Sequence, residues 1–445
     1  MARMSGLDSL LSAAVGPLGG RVAELVRGHE DLWRRCAEEP PPLARRFGRR
    51  SQKACEKELS DLVGRLSSEE TRAALLDGSP DAGRVRETVE ALRPGFRRLL
   101  DLTGLPLEAV YDERFVDSTR RFLKDARDFD PRLSLDAAYQ ALRNVWIMNS
   151  LQFDLGLPVE PTEAVFAYSL VYPYLDNVLD DEAAAEADKL ALLAKLKDWL
   201  EGSDPAPSSP SEEKLRALVG LMGRRFPRAA FPGVYRSLLT IYNAQVRSLL
   251  QQSRAAAGPP EDILAISLEK GGTSVLADGY LVAGALGPAD EEFCFGFGTF
   301  LQLADDLQDI AEDERRGHRT IFSPGGGRPP LDATAARLEN YLTAVLERAR
   351  QGATPRRAAL CDAIAGGMAL MFRESVGRHP DRFRGAYVRR ARRGFPARFA
   401  YLEKLRRRIR EQMPAEGKRL ADLDAGLVAL LAVSSRAFAL DQAGR

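Results

Sequence analysis

Three carboxylates fall within the last five positions of Phe300-Leu301-Gln302-Leu303-Ala304-Asp305-Asp306-Leu307-Gln308-Asp309. The apolar spacing of this stretch reads as helix. On that helix Asp305 and Asp309 stand one turn apart, with Asp306 about 100° round the axis from Asp305. Negative charges held so close repel, and a cation shared by all three would offset the repulsion. Oxygen ligands of this kind suit a hard divalent ion, most plausibly Mg2+, with coordination positions left for water or phosphate oxygens.

A second acidic run, Asp176-Asn177-Val178-Leu179-Asp180-Asp181, begins 129 residues earlier (305 − 176) and continues the helical stretch from Ala167 to Leu175. Asp176 and Asp180 again share a helix face. Two such helices, aimed at each other from opposite walls of a helical bundle, would hold a metal cluster able to clamp a diphosphate. The expected metal ligands are therefore Asp176, Asp180, Asp181, Asp305, Asp306 and Asp309.

The elements that must carry these residues follow from periodicity and punctuation. Leu59, Leu62, Val63 and Leu66 make an early apolar stripe, and Ser67 with Glu70 has capping-box spacing. Pro40-Pro41-Pro42 and Gly78-Ser79-Pro80 break the N-terminal third. Leu135, Ala138, Tyr139, Leu142, Val145 and Trp146 keep helical period, and Pro173 inside the first acidic helix predicts a kink there. Ser209-Pro210-Ser211-Glu212 carries a helix start with its cap, its first-turn proline and its returning glutamate. A long helix is expected from Phe231 to Ala257. Another is expected from Glu261 to Leu286, broken at Gly271-Gly272, where two glycines cost about 2 kcal/mol relative to alanines. Asp290 is the expected cap of the helix that ends in the three carboxylates. Gly317-His318-Arg319-Thr320 and the glycines after Ser323-Pro324 form a loop beyond it, and Leu338, Tyr341, Leu342 and Val345 mark a further helix.

Alternating strands, repeats and a glycine-rich phosphate loop are all missing, so the expected fold class is all-α. The expected division is an N-terminal helical extension over 1–130 and a catalytic helical bundle over 131–445, which a single continuous domain could also contain. A formal charge of +1 with 29% charged residues gives no reason to expect nucleic acid. The charge is uneven, however. From Arg378 to Arg410 there are thirteen Lys or Arg against Asp381 and Glu403, a local net of +11 (13 − 2). Cys36, Cys55, Cys294 and Cys361 are widely spaced, which fits a reducing cytoplasm rather than a disulfide framework. No secretory leader is apparent, and the apolar runs Leu276–Leu286 and Leu427–Val433 are too short to span a bilayer.

At the acidic stretches the chain resembles the class I isoprenoid synthases, the superfamily of prenyl diphosphate synthases, squalene and phytoene synthases, and metal-dependent terpene cyclases. Gly298 to Asp309 has the GxxxQxxDDxxD form of the second aspartate motif of chain-elongating prenyl synthases. Lys270 followed by Thr273, and the Gly317–Thr320 segment, look like the lysine-bearing helix and the basic loop after the motif. The first motif, DNVLDD, departs from the usual DDxxD of elongating enzymes and is closer to that of squalene synthase-like proteins. The resemblance covers roughly residues 135–325.

The resemblance implies an all-α isoprenoid synthase bundle around a central cavity, with about two or three Mg2+ ions. It implies catalytic roles for Asp176, Asp180, Asp305, Asp309 and Lys270. Substrate contacts are implied for Arg143, Arg247, Lys270, Thr273, Gln302, Arg319, Tyr172 and Phe166, with Trp146, Phe300 and Tyr280 as further aromatics beside a carbocation. Elongating enzymes hold a second, five-carbon substrate with a Gly-Gly-Lys-Arg segment and an Arg-Arg pair after the first motif. Here Glu182-Ala183-Ala184-Ala185-Glu186 follows Asp181, with no arginine. The expected activity is therefore a Mg2+-dependent terpene synthase that ionises one prenyl diphosphate of fifteen or more carbons. A prenyltransferase, coupling two prenyl diphosphates or elongating one, is the alternative, and a catalytically silent helical scaffold is the alternative from another class. A cytoplasmic location is expected. Membrane contact through the basic C-terminal region, and a homodimer, are left open.

Overall fold

The computed structural model describes residues 10–66, 94–107, 109–179, 185–252, 260–323 and 330–412. These are all-helical, with no strand among the described residues. In chain order the helices are α1 (Gly16–Arg35), α2 (Arg49–Leu66), α3 (Glu113–Phe129), α4 (Leu135–Asp154), α5 (Glu163–Leu179), α6 (Glu186–Glu201), α7 (Pro210–Arg225) and α8 (Pro232–Ser248). They continue as α9 (Pro260–Ala283), α10 (Pro288–Gln308), α11 (Ile310–Arg316), α12 (Asp332–Arg350), α13 (Pro355–Arg378), α14 (Gly385–Arg393) and α15 (Phe399–Gln412). The capping box expected at Ser67, the turn at Gly78 and the last apolar run near Leu427 lie outside the described residues.

Local chemistry sets many of the ends. Ser209 accepts a hydrogen bond from the Glu212 N–H at 3.2 Å, as its sequence predicts, while Glu212 reaches back to the N–H of Ser208 and to Lys195 Nζ at 2.7 Å. Proline occupies the first turn of α7, α8, α10 and α13, where a missing N–H costs nothing. Asp290 does not cap α10. Gly287 holds that position, and Asp290 and Glu291 sit in the first turn, where their charge favours the helix dipole.

The contacts group the chain into two compact units, neither of them continuous: 1–41 with 137–157 and 161–352, and 42–136 with 158–160 and 353–445. This is a different partition from a cut at 130/131. In the first unit α9 is central, packed on α1, α5, α8 and α10, while α10 also meets α1 and α12, and α7 lies on α5 and α6. Pro173 sits inside α5, which continues past it to Leu179. The helix expected to run to Ala257 ends at Ser248, followed by a 3-10 turn from Leu249 to Gln252.

α9 is unbroken through Gly271-Gly272, contrary to the expected interruption. The glycines have another cause. A Cβ at Gly271 would lie 2.5 Å from both the Gly298 carbonyl oxygen and Gln302 Cβ, and one at Gly272 would lie 2.4 Å from the Phe295 ring. Removing both side chains lets α9 and α10 approach backbone to backbone. The idea that a break aims free carbonyls into a cavity falls with the break.

In the second unit α13 packs on α14 and α15. Leu59, Val63, Phe395, Ala397, Leu402 and Leu405 form its buried apolar cluster. Around it, Gln52 Nε2 donates to the carbonyls of Arg392 and Phe395, both at 3.0 Å, and Arg398 grips the buried Glu56 with Nε–Oε1 2.8 Å and Nη2–Oε2 2.6 Å. None of the four cysteines is in a disulfide. No described helix is long and apolar enough to cross a membrane.

Candidate active site

The three carboxylates of α10 have three different environments. Asp305 is the open one: its side chain is 45% exposed and its Oδ1 lies 3.7 Å from Nη2 of Arg143 on α4. Asp306 is turned inward and buried. Its Oδ1 accepts from Gln302 Nε2 at 2.8 Å and its Oδ2 accepts from Ser267 Oγ of α9 at 3.2 Å. Burial pushes its pKa up to about 7; the Gln302 hydrogen bond and the charge of Lys270 oppose the shift, and the neighbouring Asp305 adds to it. Asp309 terminates α10, with φ −99° and ψ 15°, and its N–H still donates to the Asp305 carbonyl at 2.9 Å. The one-turn relation between Asp305 and Asp309 is therefore kept although the helix closes between them and α11.

Asp306 sits on a wider hydrogen-bond chain. Gln251 Nε2 donates to Ser267 Oγ at 3.2 Å, and Ser267 in turn donates to Asp306. At the other end Gln251 Oε1 lies 3.5 Å from His318 Nε2, and the Gln251 carbonyl accepts the Arg319 N–H at 3.1 Å. The loop after α11 is thus tied to the end of α10 through two polar residues, Gln251 and Ser267, whose types gave no sign of this in the sequence.

The remaining expected contacts are distributed as follows. Arg247 pairs with Glu269 across α8 and α9, and Glu269 is itself pushed above its ordinary pKa by burial, against the pull of Arg247. Lys270 is half-buried on α9 and close enough to Asp306 to influence it. Thr273 is fully buried, and its hydroxyl donates to the carbonyls of Glu269 (2.6 Å) and Lys270 (3.4 Å). Gln302 is engaged with Asp306. The half-buried Tyr172 has its hydroxyl 2.8 Å from that of Tyr168 and 3.0 Å from Ser274 Oγ of α9. Phe166, Trp146 and Phe300 are buried, and Tyr280 donates to Glu291 at 2.7 Å.

Asp176 lies on α5 one turn beyond Tyr172, and its side chain is outside what is described; Asp180 and Asp181 lie outside the described residues. Among the described residues no group of three or more His, Cys, Asp and Glu side chains is arranged to hold a metal ion. By donor type Asp305 and Asp309 suit a hard cation. Asp306 suits it less, because both its oxygens already accept protein hydrogen bonds.

One pattern was not read from the sequence. Ser267, Lys270, Ser274 and Asp278 fall at i, i+3, i+7 and i+11 along α9, so they line one polar stripe of that helix. Ser267 bonds to α10, Ser274 to α5, and Asp278 to Asn144 of α4. α4, α5 and α10, which carry Arg143, Tyr172 and Asp305, are therefore each bonded to one face of α9. Comparison with protein-family models, with curated proteins and with solved structures gave no match.

Proposed function

We propose that the chain is a Mg2+-dependent class I terpene synthase, which ionises a prenyl diphosphate of fifteen or more carbons and converts the carbocation to a terpene. The observation that carries this reading is the exposed Asp305 at the end of α10, faced by the Arg143 guanidinium, with Lys270 close by on the polar face of α9. Mg2+ bound there would supply Lewis-acid withdrawal of charge from the diphosphate. In this reading Asp305 and Asp309 are the ligands from α10, and Asp176, Asp180 and Asp181 those from the first acidic run. Asp306 holds the end of α10 against α9 rather than facing the ion.

The chain's own cations complete the arrangement. Arg143 is exposed, and its contact among the described residues is the long one to Asp305, so it can turn its fork to a diphosphate at little cost. Lys270 adds a point charge from below, and Arg319 comes from the loop tied to Gln251. Arg247 neutralises Glu269 and so contributes at longer range. The aromatic rings at Tyr172 and Phe166 would face a cation with their negative π-faces. The exposed arginines of α14, Arg389, Arg392 and Arg393, together with Lys404, Arg407 and Arg408, support a salt-sensitive contact with anionic membrane.

The test uses purified full-length protein with Mg2+ and geranyl, farnesyl or geranylgeranyl diphosphate, each with and without isopentenyl diphosphate. Cyclic or alcohol products from one substrate support the proposal. Chain growth that requires the five-carbon donor would favour a prenyltransferase, the reading suggested by the intact GxxxQxxDDxxD pattern. No turnover under any condition would favour a silent scaffold.

A further inference from the structure

The polar stripe of α9 ends in a carboxyl group with no role in the site above. Asp278 is 0% exposed, and the Asn144 amide donates to its Oδ1 at 3.1 Å. Its Oδ2 has no hydrogen-bond partner among the described residues. No cation is paired with it among the described residues, so a carboxylate in that position would carry an uncompensated buried charge, which costs far more than protonation. Burial accordingly raises its pKa well above the ordinary carboxylate range, only partly opposed by the Asn144 hydrogen bond. Burial thus favours the neutral form of Asp278, and its defined contact is to Asn144.

Asn144 is placed to use that contact. Its amide also meets Ser169 Oγ of α5 at 3.2 Å and Met148 Sδ at 3.4 Å, so one side chain joins α4 to both α5 and α9. The preceding residue is Arg143, about 100° away round the helix axis, whose guanidinium reaches to 3.7 Å from Asp305. Fixing Asn144 inside the bundle fixes the rotation of α4, and with it the direction in which Arg143 leaves the helix.

We propose that Asp278 is a positioning residue for the diphosphate end of the site: through Asn144 it sets the register of α4 against α9 and thereby the reach of Arg143 toward Asp305. The inference rests on the reading of Arg143 and Asp305 as the diphosphate end. It requires the acceptor oxygen of Asp278 and not its acidity, and it acts only through Arg143.

The experiment is calorimetric titration of the full chain with inorganic pyrophosphate in the presence of Mg2+, with thermal melts of each variant alongside. Asp278→Ala and Asn144→Ala are expected to weaken binding roughly five- to tenfold. Asp278→Asn keeps an acceptor oxygen of the same shape and is expected to bind within roughly twofold of wild type. In an Arg143→Ala background the Asp278→Ala effect is expected to vanish, because coupled residues are not additive. An unchanged pyrophosphate affinity in folded Asp278→Ala, full additivity with Arg143→Ala, or an Asp278→Asn as impaired as the alanine variant would overturn the proposal. Should Asp278→Ala not fold, the Asn144→Ala arm decides by the same criteria. Absence of Mg2+-dependent pyrophosphate binding by the wild-type chain would remove the underlying reading and this inference together.

Discussion

Gly271 and Gly298 face each other where α9 crosses α10: a Cβ on Gly298 would stand 2.2 Å from the Gly271 carbonyl oxygen, and one on Gly271 would stand 2.5 Å from the Gly298 carbonyl oxygen. Each glycine therefore removes an obstacle for the other's backbone. The consequence reaches the site, because on α9 this crossing lies between Ser267, bonded to Asp306, and Ser274, bonded to Tyr172.

Alanine at Gly271 or Gly298 must push backbone aside, since the atom it meets is a carbonyl and not the tip of a side chain. Either substitution is expected to destabilise the protein by about 1–3 kcal/mol or more, despite alanine's higher helix propensity. Thermal or urea unfolding of the two variants checks this. Wild-type stability in both would mean that the helices do not cross as closely as described.

Asp305 and Asp306 are adjacent in sequence but should respond differently to alanine. Asp305→Ala removes an exposed group with one long contact and is expected to change stability by less than about 1 kcal/mol while abolishing Mg2+-dependent turnover. Asp306→Ala leaves the buried Ser267 and the half-buried Gln302 donors without their acceptor and is expected to cost about 1–3 kcal/mol of stability. Melting curves and pyrophosphate release, measured on both, separate the two roles.

His29, on α1, is 1% exposed, and its Nδ1 lies 2.7 Å from the Tyr341 hydroxyl of α12. Burial lowers its pKa to about 4, helped by the charges of Arg348 and Arg21. A histidine whose folded pKa lies below the unfolded value of about 6.5 stabilises the fold above that pH, and the contribution is lost as pH falls from about 6.5 to 4. The expected loss over that window is on the order of 3 kcal/mol. The nearby Glu292, 3.4 Å from Nε2, is 37% exposed and offsets little of it through solvent. His29→Phe is expected to flatten this part of the stability–pH curve, as read by urea unfolding at pH 7 and pH 4.5. An unchanged slope would contradict the assignment of His29 as its source.

Glu56 in the second unit is buried, and its carboxylate is gripped in bidentate fashion by Arg398, which also donates its backbone N–H at 2.8 Å. Burial works to raise the Glu56 pKa, yet the Arg398 contacts bring the net shift below the ordinary value. Arg398→Ala is expected to lower stability, because it leaves the buried Glu56 carboxylate without its guanidinium partner. Chemical denaturation followed by far-ultraviolet circular dichroism, which reads the helices of both units, is the check.

The helices and several of their starts were legible in the sequence because apolar period and capping chemistry are local. Ser209 as a cap is the clear case. The glycine pair at Gly271 was misread for the complementary reason: local propensity records only the cost of glycine, while its benefit comes from Gly298, a contact between two helices. Asp290 was misassigned as a cap by type alone, and Gly287 holds the position through the chain's conformation. At the site, the acidic runs announced themselves by charge density. Ser267, Asn144 and Asp278 did not, since a serine, an asparagine and one acid in apolar helices acquire meaning only from the partners opposite. The i, i+3, i+7, i+11 spacing of polar residues on α9 was a signal for Ser267 and Asp278, while Asn144 on α4 had none.

The most direct measurement of the central proposal is release of pyrophosphate from farnesyl or geranylgeranyl diphosphate as the only organic substrate, with Mg2+ and with the ion chelated. The account predicts Mg2+-dependent release in wild type, with a terpene formed in step, and none from Asp305→Ala of unchanged fold. Equal release from Asp305→Ala, or no release by the wild-type protein from either substrate, would contradict it.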